Sequence, residues 1–393
     1  MAAARASIPE RVKVRLWGKA AGRCEYDGCN EPLWLDSLTQ AQLNVAYIAH
    51  IIADTPTGPR GDPVLSEQLK ADINNLMLLC DKHHRLIDIE DVNGHPVARL
   101  QQMKRRHEDR IELLTSIMPD KQSHVVLYGA NIGDHTAPLG WRKAAEAMVP
   151  EFYPAEARAI ELSLSNSSYQ DHEPEYWQIE REHLHRQFSQ KVKGCLQKQD
   201  INHISLFALA PQPLLIELGR LFSDVPAVEV FQLHREPQDW KWQSDCNGSD
   251  YLLYKPATRY GPTALNISLS GTIDNSRIFS VLGNDASIWT LTIEKPGNDF
   301  LKGRNQLCRF RQEMRHAFDK IKYMYGQNTL LHLFPCVPCA VAVEIGRVWM
   351  PKADLSLRIY DQNRKHGGFA AAFNIGDSEA GGQTNDGRTE TST

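Results

Sequence analysis

No stretch of these 393 residues approaches the roughly 18 to 20 continuous apolar residues that a membrane-spanning helix needs, and the N-terminus lacks the apolar core of a secretory signal. A soluble, cytoplasmic protein with no membrane contact is expected. Cysteine is scarce and uneven: there are eight, and those in the first eighty residues lie beside histidines. That pattern excludes a disulfide framework and suits metal binding in a reducing compartment. An excess of positive charge is also missing. A net charge of -4 excludes a uniformly basic DNA-coating protein, so contact with nucleic acid must come from a local patch such as Lys104, Arg105, Arg106 and Arg110. Low-complexity sequence is confined to the Gly-, Thr- and Asp-rich end from about Gly376, which reads as a disordered tail over 376–393.

What is present begins with Pro9 to Ala21, whose Val12, Leu16 and Trp17 share one helical face. Cys24 and Cys29 follow in a tight polar loop. Leu43 to Ile52 favours a strand ending near His50, Thr55 to Asp62 a Pro/Gly loop, Leu76 to Leu79 a second strand, and Asp81 to Ile89 a helix. Pro96 reads as the first residue of a helix over Val97 to Ile117 that closes the domain.

Cys24, Cys29, Cys80 and His83 have the number and paired spacing of a tetrahedral structural Zn²⁺ site, because thiolate and imidazole are the ligands zinc prefers. His84 and His83 are separated by helical geometry. Four residues beyond His84 stands Asp88, a second oxygen ligand, whereas four beyond His83 stands Ile87, a core residue. His84 and Asp88 are therefore expected to hold a catalytic divalent metal, Mg²⁺ or Mn²⁺. His50 would lie across it as general base, with Asn75 accepting from its far nitrogen. Together, Cys-x4-Cys, Ala49-His50-Ile51 and Asn75 to Asp88 resemble the HNH endonuclease family. The resemblance covers residues 20 to 90. It implies a ββα-metal fold, His50 as base, Asn75 as the middle residue of the motif and His84 with Asp88 as metal ligands. Many members carry a ligand just before the first histidine, where this sequence has Ala49, and Asp54 is the candidate substitute.

The second region contains a repeat. Leu206, Phe207, Pro211, Glu217, Gly219 and Arg220 recur at one constant offset as Leu333, Phe334, Pro338, Glu344, Gly346 and Arg347. Each copy is preceded by a charged helical stretch (Tyr176 to Leu196; Arg304 to Tyr325) and followed by a strand-like run (Ala227 to Leu233; Leu355 to Tyr360), the rhythm of parallel α/β units. Two pseudo-symmetric halves should form a crevice at the C-terminal ends of their strands, where helix N-termini and loop amides can hold phosphates. Pro211, Gln212 and Pro338 are rim candidates there. Trp240 and Trp242 are candidates for base stacking, and Lys241, Lys255 and Arg259 for phosphate. Cys336 and Cys339 read as structural, and the Glu217–Arg220 and Glu344–Arg347 pairs as salt bridges. The region resembles a SAVED domain built from two CARF-like halves.

The expected fold class is α+β. It comprises an N-terminal ββα-metal HNH domain with a zinc knuckle (1–118), a linker (119–124), and a C-terminal α/β SAVED domain of two Rossmann-like halves (125–375). HNH followed by SAVED is similar to effector nucleases of bacterial cyclic-oligonucleotide antiphage (CBASS) systems. That resemblance implies a cyclic di- or trinucleotide activator, homo-oligomerisation to a dimer or tetramer, and cleavage of double-stranded DNA. Two rivals remain: a constitutive restriction-type HNH endonuclease, and a non-catalytic zinc module that binds DNA beside a nucleotide-sensing domain.

Overall fold

The computed structural model describes residues 8–36, 39, 41–130, 139–162, 169, 173, 175–197, 202–223, 227–243, 250–257, 259–363 and 367–376. The chain divides into two compact units, Met1–Pro119 and Asp120–Thr393.

In the first unit, helix α1 (Glu10–Lys19) precedes the cysteine loop, strand β1 (Ala46–His50), a short helix α2 (Leu65–Leu69) and strand β2 (Leu76–Cys80). Helix α3 (Asp81–Arg85) then runs into a π-helical turn, Leu86–Glu90, and α4 (Val97–Thr115) completes the unit. β1 and β2 pair antiparallel, with Ala46 opposite Cys80 and His50 opposite Leu76. Every residue of β2 is buried, which is why it reads as an unbroken apolar run and not as an alternation. Its side chains form one core with Leu16, Leu33, Ala49, Ile51, Ile87, Leu100 and Met103. Ile87 is fully buried, as the helical spacing required. Pro96 is the N-cap of α4 and not its first residue, because its ψ of 159° is extended.

The second unit holds two sheets. Its first half contains β3 (Gln122–Gly129), α5 (Trp141–Met148), β4 (Tyr153–Pro154), β5 (Ile160–Glu161), α6 (Tyr176–Phe188), α7 (Gly194–Gln197), β6 (Ile204–Leu209), α8 (Gln212–Leu221) and β7 (Val228–Phe231). The order β4-β3-β6-β7 is parallel, and β5 also pairs with β3. The second half contains β8 (Tyr251–Tyr254), β9 (Thr263–Ser268), α9 (Asn275–Leu282), β10 (Ser287–Ile293), α10 (Arg304–Tyr325), β11 (Leu331–Cys336), α11 (Cys339–Val348), β12 (Leu357–Asn363) and β13 (Gly368–Ile375). Its sheet order is β13-β12-β11-β9-β10-β8, with antiparallel strands only at the two edges. Residues 122–124, expected in a linker, are the first residues of β3, and Ser123 is fully buried. From residue 377 onward the expected tail lies outside the described residues.

The repeat has a structural cause. β6 and β11, and likewise α8 and α11, begin and end at equivalent positions of the two copies. The two helices lie against each other. A Cβ on Gly219 would stand 1.9 Å from the Val343 carbonyl oxygen, and one on Gly346 would stand 1.8 Å from that of Ile216. These are the same contact repeated by a pseudo-two-fold axis, and only glycine permits it. One core runs through both halves, from Val126 and Leu206 to Leu265, Leu333 and Ile359.

Candidate functional site

The first unit brings the sulfur and nitrogen ligands together. Cys24 and Cys29 sit on a turn closed by the bonds Cys24 N to Glu31 O (3.0 Å) and Cys29 N to Tyr26 O (3.0 Å), with Gly28 at φ 79°. Cys80 ends β2 and places His83 on the first turn of α3. The His83 Nδ1 atom lies 3.1 Å from Cys80 Sγ and 3.6 Å from Cys24 Sγ. All four ligand atoms lie within 4.8 Å of one another. Ligands around tetrahedral zinc stand roughly 3.5 to 3.8 Å apart, given bond lengths of about 2.0 to 2.3 Å. Burial pushes the Cys24 and Cys80 thiols up and the His83 imidazole down, so His83 is neutral near pH 7. His83 stacks face to face on Tyr26, with ring centroids 4.1 Å apart. The Tyr26 hydroxyl donates to His95 Nε2 (3.0 Å), whose Nδ1–H donates to Asp91 O (2.7 Å).

On the neighbouring face, His50 Nε2 is 3.0 Å from the Lys70 carbonyl. A carbonyl only accepts, so Nε2 carries the proton and Nδ1 presents the basic lone pair. His84 Nε2 and Asp88 Oδ2 are 3.4 Å apart, and Tyr47 stacks on His84 at 4.8 Å. Ala49 is core, so its position offers no ligand, and among the described residues no His, Cys, Asp or Glu, Asp54 included, joins His84 and Asp88 in a group of three or more.

Two expectations fail here. Asn75 does not bond to His50: its Oδ1 accepts from Ile52 N (2.8 Å), and its Nδ2 donates to Ile52 O (2.8 Å) and Leu69 O (3.2 Å). It pins the backbone two residues beyond the histidine. The basic patch on α4 is also partly neutralised, at Lys104 and Arg106. Lys104 is buried between Glu25 and Glu108, Arg106 pairs with Asp27, and Arg110 donates to Asn30 (2.6 Å). Sequence reading missed Arg60 altogether. It lies in Gly58-Pro59-Arg60-Gly61, where only the turn residues gave a signal, yet its side chain is 6% exposed and bonded to Asp88.

In the second unit, Pro211 and Pro338 are the N-caps of α8 and α11 at the C-terminal ends of β6 and β11. The two ends brace each other. Gln212 Oε1 accepts from Val337 N (3.2 Å), and at the equivalent position the Ala210 amide opposes the rise that burial imposes on the Cys339 thiol. Gln232 Oε1 takes the Ala340 amide (3.0 Å). These amides, expected to face phosphates, are already bonded within the protein. Cys336 and Cys339 are free thiols, with burial pushing Cys339 up to about 11. Of the proposed stacking pair, Trp240 is core: it is 1% exposed and edge-on to Phe207. Trp242 is half-buried and packs edge-on to His234, while Lys241 is exposed, and both follow the C-terminal end of β7. Lys255 and Arg259 follow an antiparallel edge strand. β8 runs antiparallel to β10, with Tyr254 opposite Thr290, so Lys255 leaves it near the middle of β10 and the chain to Arg259 heads toward the N-terminal end of the parallel strands.

The loop after β9 was missed. Ser268 Oγ donates to Asn266 Oδ1 (2.7 Å) and accepts from Ile273 N (2.9 Å), and Ser270 N bonds to Cys336 O (2.8 Å). It stands at the C-terminal end of a central strand, beside the brace.

The buried salt bridges form as read. Glu217 is fully buried; burial opposes its ionisation, but hydrogen bonds from Arg220 and His185 and the charge of Arg181 hold its carboxyl well below the usual range. Glu344 pairs with Arg347 (2.8 Å) and Arg311 (3.1 Å). A cleft of about 570 Å³ lies over Arg181 and His185, between α6 and β13.

Residues 184–375 match the family described as the SMODS-associated and fused to various effectors sensor domain, SAVED. The chain is also similar to solved structures of the Acinetobacter baumannii Cap4 SAVED/CARF-domain containing receptor. With the cyclic trinucleotide 2'3'3'-cAAA, identity is 14% and the TM-score 0.40, covering 80% of this chain and 61% of that one. With 3'3'3'-cAAA the values are 12%, 0.40, 80% and 71%. The chain thus spans less than two thirds of the length of the first receptor structure. No curated protein matches it.

Proposed function

We propose that this chain, which carries a SAVED sensor domain over residues 184–375, is a metal-dependent DNA endonuclease switched on by a cyclic di- or trinucleotide. The observation that carries the nuclease half is the local arrangement of His50, with Nε2 fixed by the Lys70 carbonyl and Nδ1 without a hydrogen bond among the described residues, on the unit that also brings His84 and Asp88 together.

His84 and Asp88 would hold Mg²⁺ or Mn²⁺. Their 3.4 Å separation is near the roughly 3 Å between adjacent ligands around a six-coordinate ion with bonds of about 2.1 Å. When bound, that ion would stabilise charge on the scissile phosphate and the leaving oxygen. His50 Nδ1 takes the proton of the attacking water, a role worth about 10² to 10⁴ in rate. The Lys70 carbonyl keeps the tautomer, and Asn75 keeps the strand end, from which the imidazole acts. Cys24, Cys29, Cys80 and His83 would hold structural Zn²⁺, whose charge would let the two buried thiols ionise.

The sensing half rests on the SAVED match and on the duplicated α/β halves, whose pseudo-two-fold axis suits an anionic ligand of similar symmetry. Gln212, Lys241, Trp242 and the Ser268–Ile273 loop are the rim positions retained for it. Ligand-driven assembly of copies would then juxtapose nuclease units on both strands of a duplex.

His50→Ala is expected to abolish plasmid cleavage while zinc content and folding persist; retained cleavage sinks the mechanism, and a non-catalytic zinc module needs no His50. Screening cyclic di- and trinucleotides for stimulation tests the sensor. Constitutive cutting that none of them alters would favour a restriction-type enzyme.

A further inference from the structure

We infer that Arg60 is the positioning residue that sets the base and the metal pair against each other; this deepens the nuclease reading and rests on it. Its guanidinium touches both elements of the site. Nε donates to Ile51 O (2.8 Å) and one Nη2 contact reaches His50 O (3.3 Å), both at the end of the strand that carries the base. Nη1 donates to Ile87 O (2.7 Å), and Nη2 also donates to Asp88 Oδ1 (2.5 Å), in the π-helical turn after α3. One planar group therefore fixes the strand end relative to the turn. It also fixes the Asp88 carboxylate, leaving Oδ2 turned to His84.

The loop is built to deliver this side chain. Arg60 itself has φ 55°, a conformation rarely adopted by residues other than glycine. At Gly61 a Cβ would stand 2.5 Å from Pro56 O and 2.6 Å from Thr55 O, so the loop closes tightly on itself. The arginine is then 6% exposed and its charge is met by Asp88. A lysine supplies the charge but not the flat fork that reaches three carbonyls and one carboxylate.

Electrostatics and positioning predict opposite results. A cation beside a metal ligand repels a dication, so on charge alone Arg60→Gln tightens metal binding. On positioning, loss of the fork releases Asp88 and weakens it, as removing partners of metal ligands does by about 10- to 100-fold.

The test is Mn²⁺ titration of the full chain, followed by the electron paramagnetic resonance of free Mn²⁺, on wild type, R60Q, R60K and D88N. D88N defines which binding belongs to the pair. The expected result is Mn²⁺ affinity at the Asp88-dependent site at least tenfold weaker in both R60Q and R60K, with zinc content unchanged. In cleavage assays kcat should fall and KM for DNA stay constant. Should R60Q fail to fold, R60K alone decides. Unchanged or tighter Mn²⁺ binding in R60Q, or R60K equal to wild type, overturns the inference alone. Absence of Asp88-dependent Mn²⁺ binding in wild type overturns the metal pair, and this inference with it.

Discussion

Asn75 and His50 illustrate how one motif distributes its work among residues. Asn75 is 4% exposed and uses both ends of its amide on the Ile52 backbone, so its contribution is to hold a strand end. Asn75→Asp keeps the acceptor for Ile52 N but turns a carboxylate toward the Ile52 and Leu69 carbonyls. Leaving those two acceptors without a donor is expected to destabilise the first unit by about 2 kcal/mol or more. His50, bonded through one nitrogen on a half-buried edge, is expected to change stability by under about 1 kcal/mol on replacement by alanine. Thermal unfolding of both variants checks the contrast, and equal stability losses would contradict it. Such roles mark the limit of sequence reading at this scale. The clustering of Cys24, Cys29, Cys80 and His83 and the pairing of His84 with Asp88 were legible because ligand chemistry and helical spacing are local properties. The partner of Asn75, and the whole role of Arg60, depend on which backbone the folded chain brings near, and no residue type announces that.

At the scale of elements, the repeat was legible because the same packing problem occurs twice. Gly219 and Gly346 recur since α8 and α11 cross at van der Waals contact of their backbones. Gly346→Ala must push α11 off the Ile216 carbonyl, and a cost of about 1 to 3 kcal/mol, or more, is expected. Gly219→Ala should cost a similar amount. Because both substitutions force apart one pair of helices, the double variant should lose less than the sum of the singles. Denaturant unfolding of the three proteins checks this, and strict additivity would mean that the two contacts open independently. What was not legible was strand direction. Lys255 and Arg259 read as phosphate contacts in sequence, but β8 is an antiparallel edge strand and runs away from the rim at the C-terminal ends of the parallel strands. Helix N-terminal amides were misjudged for a related reason. Gln212 and Gln232 engage amides at these strand-to-helix junctions, and side-chain brackets of this kind become visible only when both halves are in place.

For the whole molecule, the two units have different sources of stability. The first has a small core knitted at the cysteine cluster, and the second has a core running through two sheets. Among the described residues no helix is long and apolar enough to cross a membrane. If the cluster holds zinc as proposed, chelation is expected to unfold residues up to Pro119 at a lower temperature while the transition of the second unit stays in place, giving two steps by calorimetry. Acid should act on the second unit through its buried histidines. His332, on β11, is 9% exposed, its Nδ1 pairs with the Tyr360 hydroxyl (2.8 Å), and burial with the nearby Arg358 lowers its pKa from 6.5 to about 4. Between those values the unfolded chain takes up a proton and the folded chain does not, so stability falls as pH falls through that window and is level above it. The full effect of this one group is about 3 kcal/mol. His203, lowered to about 4 by burial and the charges of Lys121 and Arg304, adds in the same direction, less strongly because it is partly exposed. His332→Gln carries no titrating group, so its stability should fall less steeply from pH 6.5 to 4 than that of wild type. Denaturation of the second unit's transition at each pH measures the slope; equal slopes in the two proteins would show that His332 takes up its proton alike in the folded and unfolded chains.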